Sequence, residues 1–377
     1  MVPLPARLPE KPRNKHSEKP VRVAIVGLQH NHIHSVVQYA RRTGRMQIVA
    51  VVEPEAEIRD PFVQQLHASG MHVAAYAGLD ELLIKHAGDR GAPGHPDHPG
   101  PSGHTPLPVD AAVLAPANAG KAPLAIRCME AGLHVLIDKP MVVDWDQLKA
   151  LRQAHDRTGR IVSLMLTLRF DPCYATARRL VREGAVGRLV HAWLTRPHKL
   201  KRPTRPAWMF RRETYGGLIP DLCVHDIDIF RWVTGATRED IAQLSALHGR
   251  YGASGDGELE DAAHVLLRLQ DGTVGSFEAS WLTPAAAPYH GDCRAIFTGT
   301  QGTVEVDTVR SKVVLTTDRH GPVEVPLDET DSVEDDFIRG IRLGTEHMTL
   351  PPEEAFESTA WTLLARDAAD AGESEFT

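Results

Sequence analysis

The sequence has few cysteines, no excess of positive charge and no long hydrophobic runs, and each shortage excludes a class of protein. Only four of the 377 residues are cysteine, and they form no CxxC pair. This predicts buried, unpaired thiols and a cytoplasmic protein rather than a disulfide framework. The net charge of −7 argues against a nucleic-acid partner, because phosphate backbones are bound by basic surfaces.

Membrane and secretion signals are also missing from the chain. No apolar run reaches the ~20 residues that span a bilayer, so no membrane partner is expected. Residues 1–20 contain Pro, Lys, Arg and Glu without an apolar core segment, which predicts a disordered tail rather than a signal peptide. The rest of the chain is long enough for two domains, and its 42% hydrophobic and 24% charged residues are typical of globular proteins.

Short β-branched runs alternate with helical segments through residues 21–166. This alternation is typical of parallel βαβ units, so we predict an α/β fold with a doubly wound, Rossmann-type parallel sheet in this part of the chain. Ligands bind beyond the carboxyl ends of the strands in such sheets. Gly27 and Glu53 end the first two predicted strands, so both should lie at the binding edge.

The ends of these two strands predict a dinucleotide site. At Gly27 a pyrophosphate would meet the N-terminus of the following helix. Glu53 can accept hydrogen bonds from ribose hydroxyls and would repel a 2′-phosphate, which favours NAD over NADP. The glycine fingerprint is incomplete, because Gln29 and His32 occupy the second and third glycine positions of a G-x-G-x-x-G pattern. The Gln29 side chain must therefore point away from the phosphates or hydrogen-bond to them.

Histidines are concentrated in two segments. His30, His32 and His34 alternate in the predicted cofactor loop and cannot all share one helix face, which favours a structural or cofactor-contacting role over a metal site. The segment from Gly88 to Pro108 is rich in Gly, Pro and His, which predicts a mobile surface loop. Its histidines come without the cysteine or carboxylate framework of a metal site, so no metal is predicted.

The second half of the chain is rich in predicted strands. The segments are 189–194, 241–247, 264–269, 273–281, 294–298, 303–306 and 313–316. The Asp271-Gly272 pair predicts a hairpin turn between two of them. Helical segments 173–183 and 217–234 would cover one face of a sheet, and the open face then favours a homodimer or homotetramer. Two further helices, 331–343 and 352–371, are expected to pack between the domains.

The segment 216–228, GGLIPDLCVHDID, carries the most informative pattern in the chain. Its apolar spacing predicts a helix, and residues four apart share a helix face, so the Asp221 carboxylate should hold the His225 imidazole. A fixed carboxylate sets the tautomer and basicity of a histidine, which suits proton transfer near neutral pH. A surface ion pair without catalytic meaning is the alternative, because most such pairs are of that kind.

Several other motifs follow one another in a fixed order. They are Asp110 to Leu114 leading to Asn118, AGLHVLIDKP at 131–140, the pattern at 216–228, Asp271-Gly272-Thr273, Ser280-Trp281 and GTQGT at 299–303. In this order they resemble the glucose–fructose oxidoreductase, inositol dehydrogenase and rhizopine-catabolism family, Gfo/Idh/MocA, over about residues 21–366. The chain departs from the family motifs at Asp138, which replaces Glu, at Lys121, which replaces His, and at Pro116-Ala117, which replaces Thr-Pro.

This resemblance implies a nucleotide-binding Rossmann domain at 21–166 and a substrate and oligomerisation domain at 167–350 with a large, mostly antiparallel sheet. A C-terminal helical segment at 351–377 would follow. It implies an NAD(P)-dependent oxidoreductase that moves a hydride between nicotinamide and a secondary alcohol or ketone of a sugar, cyclitol or derivative. The implied cofactor residues are Gly27, Gln29, His30, Asn31, Glu53, Asn118, Asp138 and Lys139.

The resemblance also places the catalytic set on Lys139, Asp221 and His225. In this set His225 would be the general acid or base and Asp221 would orient it. Lys139 would polarise the substrate oxygen. The alternative for Lys139 is an exposed loop lysine, but its place in an Asp-Lys-Pro sequence at a strand end favours catalysis.

The substrate site is predicted from residues of the second domain. The candidates for lining it are Arg169, His198, Trp208 and Tyr289. A basic stretch at 198–208 would suit an acidic sugar or cyclitol derivative, and a solvated surface loop would explain it equally well. Two other functions remain open: an NAD-using glycosidase or lyase that acts through transient oxidation, and a non-catalytic ligand sensor.

Overall fold

The computed structural model describes residues 19–87, 107–252, 255 and 257–373. The predicted N-terminal tail up to residue 18 and the histidine-rich segment up to residue 106 therefore lie outside the described residues. In the described ranges no helix is both long and apolar enough to cross a membrane. All four cysteines are unpaired and buried, as predicted.

The first domain is built on a six-stranded sheet in the order β3-β2-β1-β4-β5-β6, and every strand pair is parallel. Its elements are β1 (Val21–Val26), α1 (Ile33–Thr43), β2 (Met46–Val52), α2 (Ala56–Ala68), β3 (Ala74–Tyr76), α3 (Leu79–Ala87), β4 (Ala111–Leu114), α4 (Asn118–Glu130), β5 (His134–Ile137), α5 (Trp145–Thr158) and β6 (Val162–Leu164). This confirms the predicted doubly wound sheet. The strand order reverses between β1 and β4, where a ligand crevice is expected.

The second domain holds an eight-stranded sheet in the order β14-β13-β12-β11-β7-β10-β9-β8. Its elements are α6 (Pro172–Arg182), β7 (Leu189–Pro197), α7 (Arg212–Tyr215), a π-helical turn (Ile219–Cys223), α8 (Val224–Thr234), β8 (Ile241–Gly249), β9 (Ala262–Leu269), β10 (Val274–Ser280), β11 (Arg294–Gly299), β12 (Gly302–Asp307), β13 (Lys312–Thr317), β14 (His320–Glu324), α9 (Val333–Leu343) and α10 (Pro352–Glu373). Only β7 and β10 pair in parallel, which confirms a mostly antiparallel sheet. The predicted hairpin joins β9 to β10, and strand β14 was missed by the sequence analysis.

One face of this sheet is covered and the other is open. Helices α6 and α8 pack against the covered face, so β9 alternates between buried and exposed residues. Helix α10 contacts β8 and α8 of the second domain and also α5 and β6 of the first. The C-terminal helix therefore packs across both domains, which fixes the sides of the crevice between them.

Arg169 forms a buried network of ion pairs and hydrogen bonds. Its guanidinium forms a bidentate pair with Asp228, with N–O distances of 2.7 and 2.8 Å, and it also donates to Glu354 and to the Thr349 carbonyl. The side chain is only 1% exposed. A buried guanidinium needs partners for its donors, and these are all internal. That Arg169 lines the substrate site stays a prediction.

Candidate active site

The crevice brings a lysine of the first domain onto a carboxylate of the second. Lys139 follows β5, and its Nζ lies 2.7 Å from Asp221 Oδ1 and 3.1 Å from the Asp221 carbonyl oxygen. Both side chains are less than 10% exposed. Such a buried, charge-assisted contact has a fixed geometry, so it holds Lys139 in one position relative to Asp221.

The glycine pair before Asp221 shapes its approach to Lys139. Gly216 and Gly217 both have positive φ, 88° and 112°, which other residues rarely adopt. A Cβ at Gly216 would lie 2.9 Å from Val143 Cγ1. The chain can therefore turn tightly against the first domain before the π-helical turn carries Asp221 into the crevice.

The predicted hydrogen bond between Asp221 and His225 is wrong. The two carboxylate oxygens of Asp221 accept from Lys139 Nζ and from the Tyr215 hydroxyl, the latter at 2.7 Å. His225 Nδ1 is buried and has no hydrogen-bond partner among the described residues. Helical spacing makes Asp221 and His225 neighbours, but an ammonium satisfies a buried carboxylate better than a neutral imidazole does. Asp221 is therefore a partner of Lys139.

Burial and nearby cations set the protonation state of His225. The loss of hydration lowers its pKa well below the usual value, and the positive charges of Arg196 and Lys139 lower it further. Arg196 lies behind it in a buried bidentate pair with Asp226. His225 is therefore neutral near neutral pH, which leaves it ready to accept a proton.

Asn118 and Lys121 connect the lysine loop to the second domain. Lys121 Nζ donates to Asn118 Oδ1 at 3.0 Å, to the Lys139 carbonyl at 2.7 Å and to the Pro140 carbonyl at 3.3 Å. Asn118 Nδ2 donates to the Tyr215 carbonyl at 2.7 Å. Both side chains are fully buried, and burial lowers the pKa of Lys121 to about 7. The Asn118 side chain is thus engaged inside the protein, and a contact between Asn118 and the cofactor stays a prediction.

Two residues of this network escaped the sequence analysis as functional candidates. Tyr215 donates its hydroxyl to Asp221 and accepts from Trp281 Nε1 at 3.2 Å. Lys121 donates hydrogen bonds to backbone carbonyls of the Asp-Lys-Pro segment. The departure of Lys121 from the family histidine was the signal that could have identified it, while Tyr215 had none besides its position before the glycine pair.

The pyrophosphate end of the crevice fits a dinucleotide. Gly27 has φ 82°, and a Cβ there would lie 2.4 Å from the Pro116 nitrogen, so only glycine is accommodated. The first turn of α1 holds no acidic residue, which keeps the helix N-terminus attractive to phosphate. Glu53 accepts one hydrogen bond on each oxygen, from the backbone nitrogens of Leu28 and Glu55. A carboxylate has further acceptor positions for ribose hydroxyls.

The remaining residues of the cofactor loop face Asp138 and the second domain. His32 Nδ1 lies 2.8 Å and His30 Nδ1 3.5 Å from the two oxygens of the buried Asp138 carboxylate. Gln29 Oε1 accepts from Trp208 Nε1 at 3.2 Å, so this side chain turns sideways to the second domain. Asn31 is exposed. At the two positions where the glycine pattern is missing, the loop therefore carries Gln29 and His32, whose side chains contact other residues of the protein.

The substrate side of the crevice is lined by aromatic and histidine rings. The His198 ring lies 4.6 Å from His290 and 5.9 Å from Trp281, and burial lowers the pKa of His198 to about 3. Trp208 covers the cofactor loop, with its ring 5.2 Å from His30. Tyr289 is 37% exposed beside His290. The structure thus brings His198 near Lys139 and His225 and places Trp208 over the predicted cofactor loop.

Two surface depressions lie away from these residues. One is lined by Ser35, Gln38, Tyr39, Arg41, Arg42 and Glu334, and the other by Phe210, Arg211, Arg212, Glu213, Gly257 and Glu258. Neither contains Lys139, Asp221 or His225. The crevice is the better candidate, because the buried Lys139–Asp221 pair and the buried His225 meet there at the binding edge of the parallel sheet.

Two family models match the chain. The model of the oxidoreductase family with an NAD-binding Rossmann fold matches residues 21–166, and that of the GFO/IDH/MocA C-terminal domain matches residues 174–305. A putative oxidoreductase from Thermotoga maritima has a similar solved structure. Its TM-score is 0.80 at 27% identity, over 93% of this chain and 98% of that one.

Curated relatives include two inositol dehydrogenases. The scyllo-inositol 2-dehydrogenase (NAD(+)) of Bacillus subtilis is 28% identical over 55% of this chain and 57% of its own length. The myo-inositol 2-dehydrogenase of Thermotoga maritima is 27% identical over 56% of this chain and 61% of its own length. The matched part is therefore less than two thirds of either relative. With both domain models matched in order, the chain belongs to the Gfo/Idh/MocA family of oxidoreductases.

Proposed function

We propose that this protein is an NAD-dependent oxidoreductase that moves a hydride between nicotinamide and a secondary alcohol or ketone of a sugar, cyclitol or related polyol. The observation that carries the proposal is the buried pair of Lys139 and Asp221 beside the neutral His225, at the binding edge of the parallel sheet. The relatedness to inositol dehydrogenases supports a polyol substrate. The four unpaired cysteines suit the reducing cytoplasm.

The chemistry follows from the protonation states of these side chains. Bound NAD would supply the hydride acceptor, and NADH the donor. Lys139 would donate a hydrogen bond to the substrate oxygen and stabilise negative charge as it develops. His225 would take the hydroxyl proton during oxidation and return it during reduction. Asp221 would hold the Lys139 ammonium in place rather than orient His225.

The activity can be tested by offering sugars, cyclitols and sugar acids with NAD and with NADP while following the absorbance of the reduced cofactor. Formation of NADH with at least one polyol supports the proposal. Cleavage of a substrate bond without net NADH would instead indicate the redox-neutral glycosidase or lyase. Binding of NAD without turnover of any compound would indicate a ligand sensor.

NAD should raise the melting temperature more than NADP does, because the Glu53 carboxylate repels a 2′-phosphate. A ligand at 100 times its Kd adds ~2.7 kcal/mol to the free energy of unfolding, which differential scanning fluorimetry detects. Glu53→Gln should narrow the difference between the two cofactors. Glu57→Gln, at an exposed glutamate of α2, is the matched control and should leave it unchanged. Equal shifts in the wild-type protein would remove the argument from Glu53.

We also propose a homodimer or homotetramer that associates through the open face of the eight-stranded sheet. Strand pairing places Leu266, Ser276, Trp193 and Ile296 in one row across this face, and Leu266 is 53% exposed. A second copy of this chain would cover the apolar side chains of Leu266, Trp193 and Ile296. Leu266→Glu should lower the mass measured by light scattering, whereas Val323→Glu, equally exposed on the edge strand β14, should not. A wild-type monomer would contradict the proposal.

A further inference from the structure

We infer that the substrate of this site carries an anionic group, such as the carboxylate of a sugar acid, and that Arg205 binds it. The inference rests on the proposed function, because it names the substrate class of the same crevice. It decides between the two explanations of the basic stretch at 198–208, an acidic substrate and a solvated loop.

Arg205 is held in a fixed orientation with donors unused. Its Nε donates to the Leu200 carbonyl at 2.7 Å, and its guanidinium carbon lies 4.8 Å from the centre of the Trp281 ring. The residue is only partly exposed. In the described part of the chain its two terminal nitrogens have no hydrogen-bond or carboxylate partner. A guanidinium plane fixed at Nε, with both terminal nitrogens free, matches a carboxylate in geometry.

The residue beneath this guanidinium connects it to the catalytic set. Trp281 Nε1 donates to the Tyr215 hydroxyl at 3.2 Å, which donates to Asp221 at 2.7 Å. Asp221 holds Lys139. Arg205 is therefore separated by the Trp281 indole and the Tyr215 phenol from the Lys139–Asp221 pair, which would lie beside the reacting carbon. A substituent a few atoms from that carbon could reach it.

The charges around the entrance to the crevice are positive and unbalanced. In the described ranges neither Lys199 nor Lys201 has a carboxylate within ion-pair distance, and Lys199 donates to the carbonyls of Ala285 and Ala287. The charges of Lys201, Arg205, Lys199 and Lys139 all lower the pKa of His290, after burial, the largest cause. These four cations therefore lie around one ring. In the described ranges Lys139 alone of the four is paired with a carboxylate, that of Asp221. In a chain with 49 acidic and 42 basic residues, three neighbouring cations without a carboxylate favour an anionic ligand.

A solvated loop explains the exposed Lys201 but not Arg205. A guanidinium that is merely hydrated at the surface needs no fixed orientation. The Arg205 guanidinium is restrained both by a hydrogen bond to a backbone carbonyl and by an aromatic ring. Arg202 of the same loop offers the matched comparison. It is exposed, and its guanidinium lies 5.3 Å from the centre of the Phe210 ring, outside the chain of contacts that leads to Asp221. Its charge and chemistry are those of Arg205, and only its place differs.

The inference can be tested with Arg205→Met and the control Arg202→Met in the full chain. The substrates are matched pairs that differ in one charge, glucuronate with glucose and gluconate with glucitol. The wild type should favour the acid of a pair by ~10-fold or more in kcat/KM, and Arg205→Met should lose ~10–100-fold on the acid alone. Arg202→Met should keep the wild-type preference. Equal use of acid and neutral partner by the wild type, or an unchanged preference in Arg205→Met, would overturn the inference.

Binding separates this inference from the proposed function. Calorimetric titration of gluconate and of glucitol into the NAD-saturated protein needs no turnover. Tighter binding of gluconate, weakened by Arg205→Met, supports the inference even if no compound is oxidised, and that combination would count against the oxidoreductase alone. The inference would be overturned if gluconate did not bind, or bound no more tightly than glucitol. Turnover of neutral polyols would in that case still support the proposed function. Arg205→Gln, which keeps a polar side chain, replaces Arg205→Met if the methionine variant does not fold.

Discussion

Replacing His225 with alanine should lower turnover by ~10²–10⁴-fold and leave NAD binding nearly unchanged. His225 is the proposed base, and its imidazole has no hydrogen-bond partner at Nδ1 among the described residues. The substitution therefore removes proton transfer without breaking a contact that supports the cofactor loop. Steady-state rates and the NAD-induced rise in melting temperature, measured on the same preparation, check both parts.

The control for this variant is His347→Ala. The His347 side chain is 54% exposed and belongs to no part of the crevice, so its removal should leave the rate within twofold of the wild type, as ordinary surface substitutions do. A His225→Ala protein with a rate like that of His347→Ala would remove His225 as the base. Loss of NAD binding along with the rate would assign His225 to the cofactor site instead.

The pH dependence of the rate tests the same assignment from another side. The pKa of His225 is lowered well below its usual value, first by burial and then by the charges of Arg196 and Lys139. The neutral form, which accepts the proton, is therefore populated throughout the range above about pH 6.5, the ordinary histidine pKa. The value of kcat/KM for oxidation should stay level down to that pH and fall only in more acidic solution. A loss of activity centred near pH 7 would mean that the catalytic base is another group.

The fold was predictable from the sequence where local patterns decide it. The strands of the first sheet are continuous apolar runs because helices cover them on both sides, and β4 and β5 have no exposed residue. The strands of the second sheet alternate because one face is open, as β9 does. Asp271-Gly272 forms the hairpin because Gly272 adopts φ 88° at the turn. Each of these outcomes depends on residues that are close in sequence.

The partners of the site residues were not predictable in the same way. Helical spacing identified Asp221 and His225 as neighbours, but the contact that Asp221 makes is with a residue 82 positions away. Arg169 finds Asp228 across 59 positions. Sequence spacing identifies the imidazole as a neighbour of the carboxylate but gives no sign of an ammonium that is distant in sequence. In a buried crevice the ammonium forms the stronger contact with the carboxylate. The resemblance supplied the identity of Lys139, and the structure supplied its partner.

Replacing Lys139 with methionine should reduce both the free energy of unfolding and the turnover of the protein. Asp221 would remain as a buried carboxylate with only the Tyr215 hydroxyl as donor, and breaking such a pair costs ~3–5 kcal/mol. The loss of the donor to the substrate oxygen should lower kcat by ~10²–10³-fold. Urea unfolding and steady-state rates measure the two effects. Lys312→Met breaks an exposed pair with Glu324, also 2.7 Å long, and should cost no more than ~1 kcal/mol.

A second substitution separates the effect of the buried charge on stability from the effect of altered packing. Asp221→Asn added to Lys139→Met removes the orphaned carboxylate, so the double variant should be more stable than Lys139→Met alone, yet it should stay inactive. In the wild type Lys139 and Tyr215 lower the pKa of Asp221 although burial opposes them, so the stability that the pair contributes is present at neutral pH and is lost as the pH falls through that low pKa. When Lys139 is absent, burial dominates and raises the pKa of Asp221. The single variant should therefore recover stability relative to the wild type as the pH is lowered. If the Lys139→Met protein were as stable as the Lys312→Met control, the pair of Lys139 and Asp221 would not be desolvated. The crevice would then lack the fixed ammonium on which the proposed hydride transfer depends.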